Sequence, residues 1–190
     1  MLSINAEKIE GLLSPRRLQA FLRERGLTAR HGLGQNFLVS RQVLERIVGA
    51  AQVTPGEDVL EIGPGLGFLT YFLLQAGARV RAYETDAGLA DWLEEAFGGQ
   101  RDFSLVRGDF LQADCSMYSG VQDGADQPGD GGQAVRGQTP IASARVIANL
   151  PYSITTPVFE RLFALPAITE IIVMIQRQVA ERVVAQPGTR

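Results

Sequence analysis

From residue 58 onward the chain alternates short apolar runs with longer amphipathic stretches. Segments of strand length occupy 58–62, 79–83, 103–107, 145–148 and 170–175. Between and after them, apolar residues recur at helical spacing over about 67–76, 87–97, 154–164 and 176–185. Alternation of strand and helix predicts an α/β fold, in which a parallel sheet carries helices on both faces.

A helical pattern precedes the first of these strands. Ser14-Pro15 is typical of a helix start and Gly26 of a helix end, and Ser40 begins a second helix. The apolar positions of the two helices are Leu18, Phe21 and Leu22, and Val43, Leu44, Ile47 and Val48. We therefore predict an N-terminal helical arm over residues 1–53 and an α/β domain over residues 54–190.

Residues 116–142 break the alternation between the third and fourth strands. This segment is rich in Gly, Asp, Gln and Ser and contains few large apolar residues. Such a composition buries too little apolar surface to offset the entropy of ordering the chain. We therefore predict that residues 116–142 form a flexible surface insertion.

Composition limits the kind of protein. The chain has 190 residues, 45% of them hydrophobic, which is enough for one buried core. Cys115 is the only cysteine, so no intramolecular disulfide can form. The sequence contains neither a signal-peptide pattern nor an apolar run of about 20 residues. We expect a soluble, cytoplasmic protein.

Charge is unevenly distributed along the chain. The formal net charge is −3, yet residues 1–46 hold eight basic against four acidic residues, and the remainder holds ten against seventeen. Seventeen of the eighteen basic residues are arginine, which suits bidentate contact with phosphate. The arginines of the arm therefore have two interpretations: contact with a nucleic acid, or an ordinary solvated helix face.

The first strand leads into a glycine-rich turn at Gly63, Gly65 and Gly67 and then into a helix. Glycines at such a turn let the backbone approach a ligand where a side chain would collide, and an adenosine cofactor suits this strand edge. The Gly-x-Gly-x-Gly spacing differs from the dinucleotide fingerprint. With Glu61 before it, the turn resembles the first motif of S-adenosylmethionine-dependent methyltransferases. The alternative is a tight turn without a ligand.

Two acidic residues end the next two strands. Glu84 lies 21 residues after Gly63, the interval at which a carboxylate accepts hydrogen bonds from ribose hydroxyls in nucleotide-binding βαβ units. Asp109 can accept from the exocyclic amine of adenine, and Phe110 can pack beside the ring. The alternatives are a surface acid at a strand end for Glu84 and a turn residue for Asp109.

The fourth strand ends in Asn149-Leu150-Pro151-Tyr152, which fits methyl transfer to an adenine amine. That nitrogen is a poor nucleophile because its lone pair is delocalised into the ring. The Asn149 side-chain oxygen and the Leu150 carbonyl can accept its hydrogens and favour the attacking form. Pro151 restricts the backbone before it, and Tyr152 offers a face for stacking an extruded base. The alternative is a strand-end turn with a chance aromatic.

Metal and hydrolase chemistry find no support. His31 is the only histidine, no Cys/His cluster exists, and no Ser-His-Asp triad can be assembled around an obvious nucleophile. We predict no metal site and expect His31 on the surface or facing RNA.

The sequence resembles the rRNA adenine dimethyltransferase family. The matching motifs follow the order seen in that family and lie at 34–38, 61–67, Glu84, 108–109 and 149–152. Segment 176–182 resembles that family's helix after the fifth strand. The resemblance covers about residues 30–190 and is greatest to the small-subunit enzyme, which dimethylates two adjacent adenosines near the 3′ end of 16S rRNA.

The resemblance implies a Rossmann-like class I methyltransferase fold with S-adenosyl-L-methionine as cofactor. It implies 16S rRNA or the assembling small ribosomal subunit as partner, and a monomer that does not associate with membranes. It also implies that Asn149 and Tyr152 handle the target base. The cofactor contacts would fall on Asn36, Leu38, Gly63, Gly65, Glu84, Asp109 and Asn149.

Three departures accompany the resemblance. Arg30-His31 stands where a basic residue commonly precedes the 34–38 segment, and insertion 116–142 is longer than the family usually carries. The family's last strands and its small helical domain, which helps to grip RNA, have no counterpart before Arg190.

Three other functions share part of this sequence pattern. A methyltransferase of large-subunit rRNA that confers antibiotic resistance shares nearly every motif, and only the position of the modified nucleotide separates the two. A cofactor-binding assembly factor without turnover would not need the arrangement at 149–152. An NAD-dependent oxidoreductase is disfavoured by the glycine spacing.

Overall fold

The structure, a computed structural model, describes residues 5–27, 37–120 and 141–185, without the side chains of Asn5, Ala6 and Tyr152. Its strands are β1 (Asp58–Ile62), β2 (Arg79–Glu84), β3 (Phe103–Arg107), β4 (Ala144–Asn149) and β5 (Ile168–Met174). They form one parallel sheet in the order β3-β2-β1-β4-β5. The predicted parallel α/β sheet is confirmed, and each strand begins and ends within two residues of its predicted position.

Helices fill the predicted intervals between the strands. Those of the described ranges are α1 (Asn5–Leu12), α2 (Pro15–Glu24), α3 (Arg41–Ala51), α4 (Phe68–Gln75), α5 (Ala87–Phe97), α6 (Thr155–Phe163) and α7 (Arg177–Val183). Ser40 caps α3 by accepting from the Val43 N–H at 3.4 Å. Ser14 occupies the corresponding position before α2 without a side-chain cap, and Pro15 supplies the preset backbone angle of the first turn. None of these helices has the length and apolar character needed to cross a membrane.

Two hydrophobic clusters lie on opposite faces of the sheet, because successive strand residues point to opposite sides. One cluster joins Val59, Val80 and Ile147 to the apolar sides of α1–α5. The other joins Leu60, Val146 and Ala148 to α6 and to the segment after β3. Helices therefore cover both faces, as the alternating pattern predicts.

The N-terminal helices share the first of these clusters with the sheet. Leu18 and Phe21 of α2 are buried, and the Phe21 ring meets the Trp92 ring of α5 edge to face, with centroids 4.6 Å apart. Lys8 and Arg25 both bind the Glu95 carboxylate, at 2.8 and 2.6 Å. The helices of residues 1–53 thus pack as a layer on the α/β sheet; the division at residue 53 stays a prediction.

The prediction that residues 116–142 form a flexible surface insertion is wrong at both ends of this segment. Ser116–Tyr118 form a 3₁₀ turn, with Met117 and Tyr118 buried against the second cluster, and the Ile141 N–H donates to the Met117 carbonyl at 2.8 Å. Two large apolar side chains suffice to anchor these residues, although the polar composition of the whole segment hides them. Residues 121–140 lie outside the described ranges.

Candidate active site at the carboxyl edge of the sheet

A cavity of about 540 Å³ opens at the carboxyl ends of the strands, where ligands bind in open α/β sheets. Its volume is in the range of small-molecule sites, about 300–1,000 Å³. The predicted site residues that line it are Leu38, Gly63, Gly65, Glu84, Asp109, Asn149, Leu150 and Pro151. Residues from distant parts of the sequence therefore meet at one place, as the strand-end positions predict.

The turn after β1 keeps its backbone close to the cavity. Gly63 and Gly65 have φ angles of +67° and +60°, a region that other residues rarely adopt. A methyl group on Gly65 would lie 3.3 Å from the Phe37 ring, which covers this part of the turn. The Gly63 N–H donates to the Tyr83 carbonyl at 2.9 Å and so ties the turn to β2. Both glycines suit the positive φ angles of the turn, and Gly65 also leaves room for the Phe37 ring.

Trp92, which the sequence analysis did not single out, supports the turn from behind. Its indole N–H donates to the Leu66 carbonyl at 3.0 Å, and the side chain is fully buried. The same ring packs on Phe21, so the Trp92 side chain contacts both the N-terminal layer and the glycine turn. The only tryptophan in the chain was the available sequence signal.

Glu84 is buried at the end of β2 and faces the cavity. Its carboxylate accepts from the Gly65 N–H at 3.0 Å and from the Asp86 N–H at 2.9 Å. Burial raises the pKa of Glu84, and these backbone donors oppose that rise. The carboxylate that the spacing predicts for ribose is thus fixed in orientation by the glycine turn itself.

Glu61 is the most deeply buried acid of the site, with 1% of its surface exposed. Its carboxyl accepts from the Thr70 hydroxyl at 2.6 Å. The pKa of Glu61 is raised to about 8, chiefly by burial; the Thr70 hydrogen bond opposes this rise, and the nearby Glu84 contributes to it. Glu61 is therefore mostly protonated near neutral pH in the folded protein.

Glu61→Gln is expected to remove part of the pH dependence of stability. Between about pH 4.5 and 8 the unfolded chain loses the Glu61 proton while the folded chain keeps it, so the free energy of unfolding falls as pH rises. The slope from one such group is at most about 1.4 kcal/mol per pH unit. Urea unfolding at pH 5 and pH 8 measures this slope, and the variant should gain stability relative to the wild type at pH 8.

Glu160→Gln on the exposed side of α6 is the matched control and should leave the slope unchanged. Equal slopes in the wild type and Glu61→Gln would contradict the assignment of a protonated Glu61.

Asp109 begins a tight turn after β3. Its Oδ1 accepts from the Leu111 N–H at 2.9 Å, and among the described residues Oδ2 has only the Gln112 side-chain amide, at 3.5 Å. Oδ2 is therefore the oxygen left for a ligand. Phe110 lines the cavity but is buried, and its ring meets the Tyr83 ring edge to face at 5.3 Å.

The segment after β4 is held between β5 and α6. Asn149 pairs in register with Met174, and the Leu150 N–H donates to the Met174 carbonyl at 3.2 Å. The Pro151 carbonyl accepts from the Thr155 hydroxyl at 3.1 Å, which joins the segment to the first turn of α6. Within the described part of the chain the Asn149 side chain makes no hydrogen bond, so its amide is available to a ligand.

Two predicted site residues are not placed in the cavity. Asn36 lies outside the described residues, and so does the Tyr152 side chain. Their roles stay predictions. Beside the 28–36 gap, Phe37 and Leu38 do reach the cavity wall.

Sequence reasoning missed the contribution of β5 to the cavity. Met174, Ile175 and Gln176 line the wall next to the Asn149 segment. The available signal was their position at the carboxyl end of a predicted strand. That position predicts a place beside the Asn149 segment only if β5 is known to be the neighbour of β4.

Comparison with known proteins identifies the family. The sequence profile described as "Ribosomal RNA adenine dimethylase" matches residues 26–190. The chain belongs to this family. Among the members most similar to it, a ribosomal RNA small subunit methyltransferase A from Deinococcus radiodurans is 40% identical over 93% of this chain and 53% of the relative. Its counterpart from Moorella thermoacetica is 38% identical over 95% and 59%.

The chain spans only part of such family members, between 50% and 59% of the length of the curated relatives. Family membership therefore extends over most of this chain, whereas this chain corresponds to little more than half of a relative.

Solved structures of similar proteins agree with the fold. The 23S rRNA methyltransferase ErmE is 28% identical and superimposes with a TM-score of 0.56, over 77% of this chain and 50% of that one. A dimethyladenosine transferase from Plasmodium falciparum gives the same TM-score at 24% identity, over 79% and 46%. The predicted Rossmann-like class I methyltransferase fold is thereby confirmed.

Proposed function

We propose that this chain carries the cofactor-binding and methyl-transferring part of an rRNA adenine N6,N6-dimethyltransferase. Its substrate would be two adjacent adenosines near the 3′ end of 16S rRNA in the maturing small ribosomal subunit. The observation that most supports this is the convergence of Gly63, Glu84, Asp109 and Asn149, from four strand ends, on one cavity.

The residues of the cavity fit S-adenosylmethionine. The buried Glu84 carboxylate suits the ribose hydroxyls, and Asp109 Oδ2 suits the amine of adenine. The positive φ angles of Gly63 and Gly65 leave backbone rather than side chains facing the methionine half, with Leu38 and Asn36 as further contacts. When bound, this cofactor supplies a methyl group on a positively charged sulfur.

The segment after β4 would hold the target amine. Asn149 Oδ1 and the Leu150 carbonyl would each accept one amine hydrogen, which turns the nitrogen lone pair toward the methyl group. The bond from the Thr155 hydroxyl to the Pro151 carbonyl and the bond from the Leu150 N–H to the Met174 carbonyl anchor the backbone of this segment. Tyr152 would stack on the extruded base, with a contribution of about 1–3 kcal/mol. No general base is required, since the cationic product nitrogen is acidic enough to lose its proton to water.

The arginines of the N-terminal layer support an RNA partner. Arg25 and Arg41 are engaged in ion pairs with Glu95 and with Glu10 and Glu45. In this layer, the exposed arginines that form no ion pair with any described residue are Arg16, Arg17, Arg23 and Arg46. They carry positive charge on a chain of net charge −3, so they are the available phosphate contacts.

Transfer of label from radioactive S-adenosylmethionine tests the proposal. Purified small subunits lacking dimethyladenosine, large subunits, and protein-free 16S and 23S rRNA would be offered separately, with analysis of the labelled nucleosides. We expect N6,N6-dimethyladenosine in small-subunit RNA alone. Phosphate contacts predict that the yield falls steeply between about 50 and 200 mM salt.

Two other outcomes identify other functions. Label in 23S rRNA would favour a large-subunit methyltransferase, a candidate supported by the likeness to ErmE. Cofactor binding by calorimetry without any label would contradict the assignment of methyl transfer to this chain and favour a non-catalytic assembly factor.

A further inference from the structure

Arg161 of α6 holds the turn that carries Asp109. One terminal nitrogen of its guanidinium donates to the Leu111 carbonyl at 2.7 Å, and the other donates to the Ala113 carbonyl. The second nitrogen also lies 3.5 Å from the Cys115 sulfur, and the guanidinium carbon is 5.6 Å from the centroid of the Phe110 ring. A single side chain thus contacts four of the eight residues between β3 and the buried 3₁₀ turn.

Arg161 is unusual because its hydrogen-bond acceptors are neutral groups. It is half-buried, its Nε is buried without a hydrogen-bond partner, and it belongs to none of the ion pairs of the described residues. Partial burial of a cation beside neutral acceptors is costly compared with an exposed ion pair. General stabilisation is therefore a weak explanation for it, and a geometric role is a better one.

The sheet alone does not directly connect the strand end that carries Asp109 to the strand end that carries Asn149. In the strand order, β2 and β1 separate β3 from β4, so no backbone hydrogen bond joins the end that carries Asp109 to the end that carries Asn149. Arg161 makes a direct connection. On its own side, α6 is bonded to the Asn149 segment through Thr155 and Pro151. On the other side, the Asp109 turn is closed by the bond from Leu111 N–H to Oδ1.

We propose that Arg161 is a positioning residue that sets the Asp109 turn relative to the Asn149 segment and thereby determines the selectivity of the site for adenine. The inference rests on the proposed function, since it assigns Asp109 Oδ2 to the adenine amine. The two terminal nitrogens reach two carbonyls of one turn, which requires the fork of a guanidinium. A lysine would offer one point charge, and a methionine of similar length would offer none.

Calorimetry on the full chain with two ligands tests the proposal. S-adenosylhomocysteine carries the adenine amine, and its inosine analogue replaces that amine with an oxygen that Asp109 would repel. For the wild type we expect the adenosine ligand to bind at least about tenfold more tightly, a difference of ~1.4 kcal/mol. Arg161→Met should reduce this ratio to about twofold or less, and Arg161→Lys should give an intermediate ratio.

Arg107→Met is the matched control. Arg107 is an exposed arginine on β3 that pairs with Asp91 and Glu94, so its removal should leave the ratio at the wild-type value. A wild-type ratio in Arg161→Met would overturn the inference. This holds even if both ligands bind more weakly, because an equal loss of affinity would indicate a merely structural role. If Arg161→Met does not fold, an unchanged ratio in Arg161→Lys overturns it instead. A wild-type chain that binds neither ligand would refute the cofactor assignment itself, and the inference with it.

Discussion

Replacement of Asn149 by alanine is expected to lower the rate of methyl transfer to RNA by about 10²–10³-fold, the loss seen when one preorganised hydrogen-bonding group is removed from a reacting centre. The Asn149 amide lines the cavity and has no side-chain partner among the described residues, so it is free to hold the target amine. Cofactor affinity should change by no more than about tenfold, the value of a single neutral hydrogen bond. Single-turnover label transfer and calorimetry with S-adenosylhomocysteine measure the two quantities separately.

Gln19→Ala, which removes an exposed amide from α2, provides the control and should leave both quantities unchanged. Unimpaired transfer by Asn149→Ala would refute the proposed role of the segment after β4. A loss of cofactor affinity as large as the loss of rate would place Asn149 in cofactor binding alone.

Among the three glycine substitutions Gly67→Ala, Gly65→Ala and Gly49→Ala, Gly67→Ala is expected to cause the largest loss of stability. Gly67 has a φ of +78°, and a methyl group there would lie 2.4 Å from a Phe97 ring carbon and 3.0 Å from a Leu93 methyl. Both neighbours are buried in the core, so neither can move away without cost. Backbone strain of about 1–2 kcal/mol and overpacking of about 1–3 kcal/mol add to roughly 2–5 kcal/mol. In a thermal melt this corresponds to a decrease of about 5–15 °C.

Two further glycines make this prediction specific. In Gly65→Ala the new methyl meets the half-buried Phe37 ring at 3.3 Å, so we expect a smaller loss of stability and a large loss of cofactor affinity. Gly49 lies in α3 with open space around it, and Gly49→Ala should stabilise the chain by about 0.5–1 kcal/mol. A Gly67→Ala variant that melts like the wild type would show that the contact with Phe97 is absent.

The three glycines of the turn illustrate what a motif can reveal. Their spacing identifies a strand, a tight turn and a helix, because a glycine's tolerance of positive φ is a local property. The spacing gives no reason to treat Gly67 differently from Gly63 and Gly65. Only the packing of α5 behind the turn shows that Gly67 makes room for Phe97, whereas the other two face the cavity.

Local properties also explain the other successes of sequence reasoning. The residue types and intervals of Glu84, Asp109 and Asn149 predict strand-end positions, and parallel strands bring all such ends to one edge. The predicted residues that the structure describes meet there. Residues 116–142 were judged by composition, which missed the two buried side chains at their N-terminal edge, because burial depends on what a distant part of the chain offers.

The sequence by itself determined the order of strands and helices, the glycine turn and the acids and amide at the strand ends, since each depends on a few neighbouring residues. The tertiary structure alone decided which strands are neighbours and so which residues share the site. It placed β5 beside Asn149, buried Glu61 near Glu84, set Trp92 behind the turn and brought Arg161 to the Asp109 turn. These are contacts between residues tens of positions apart, and they form only when the packing of the whole chain brings the two partners together.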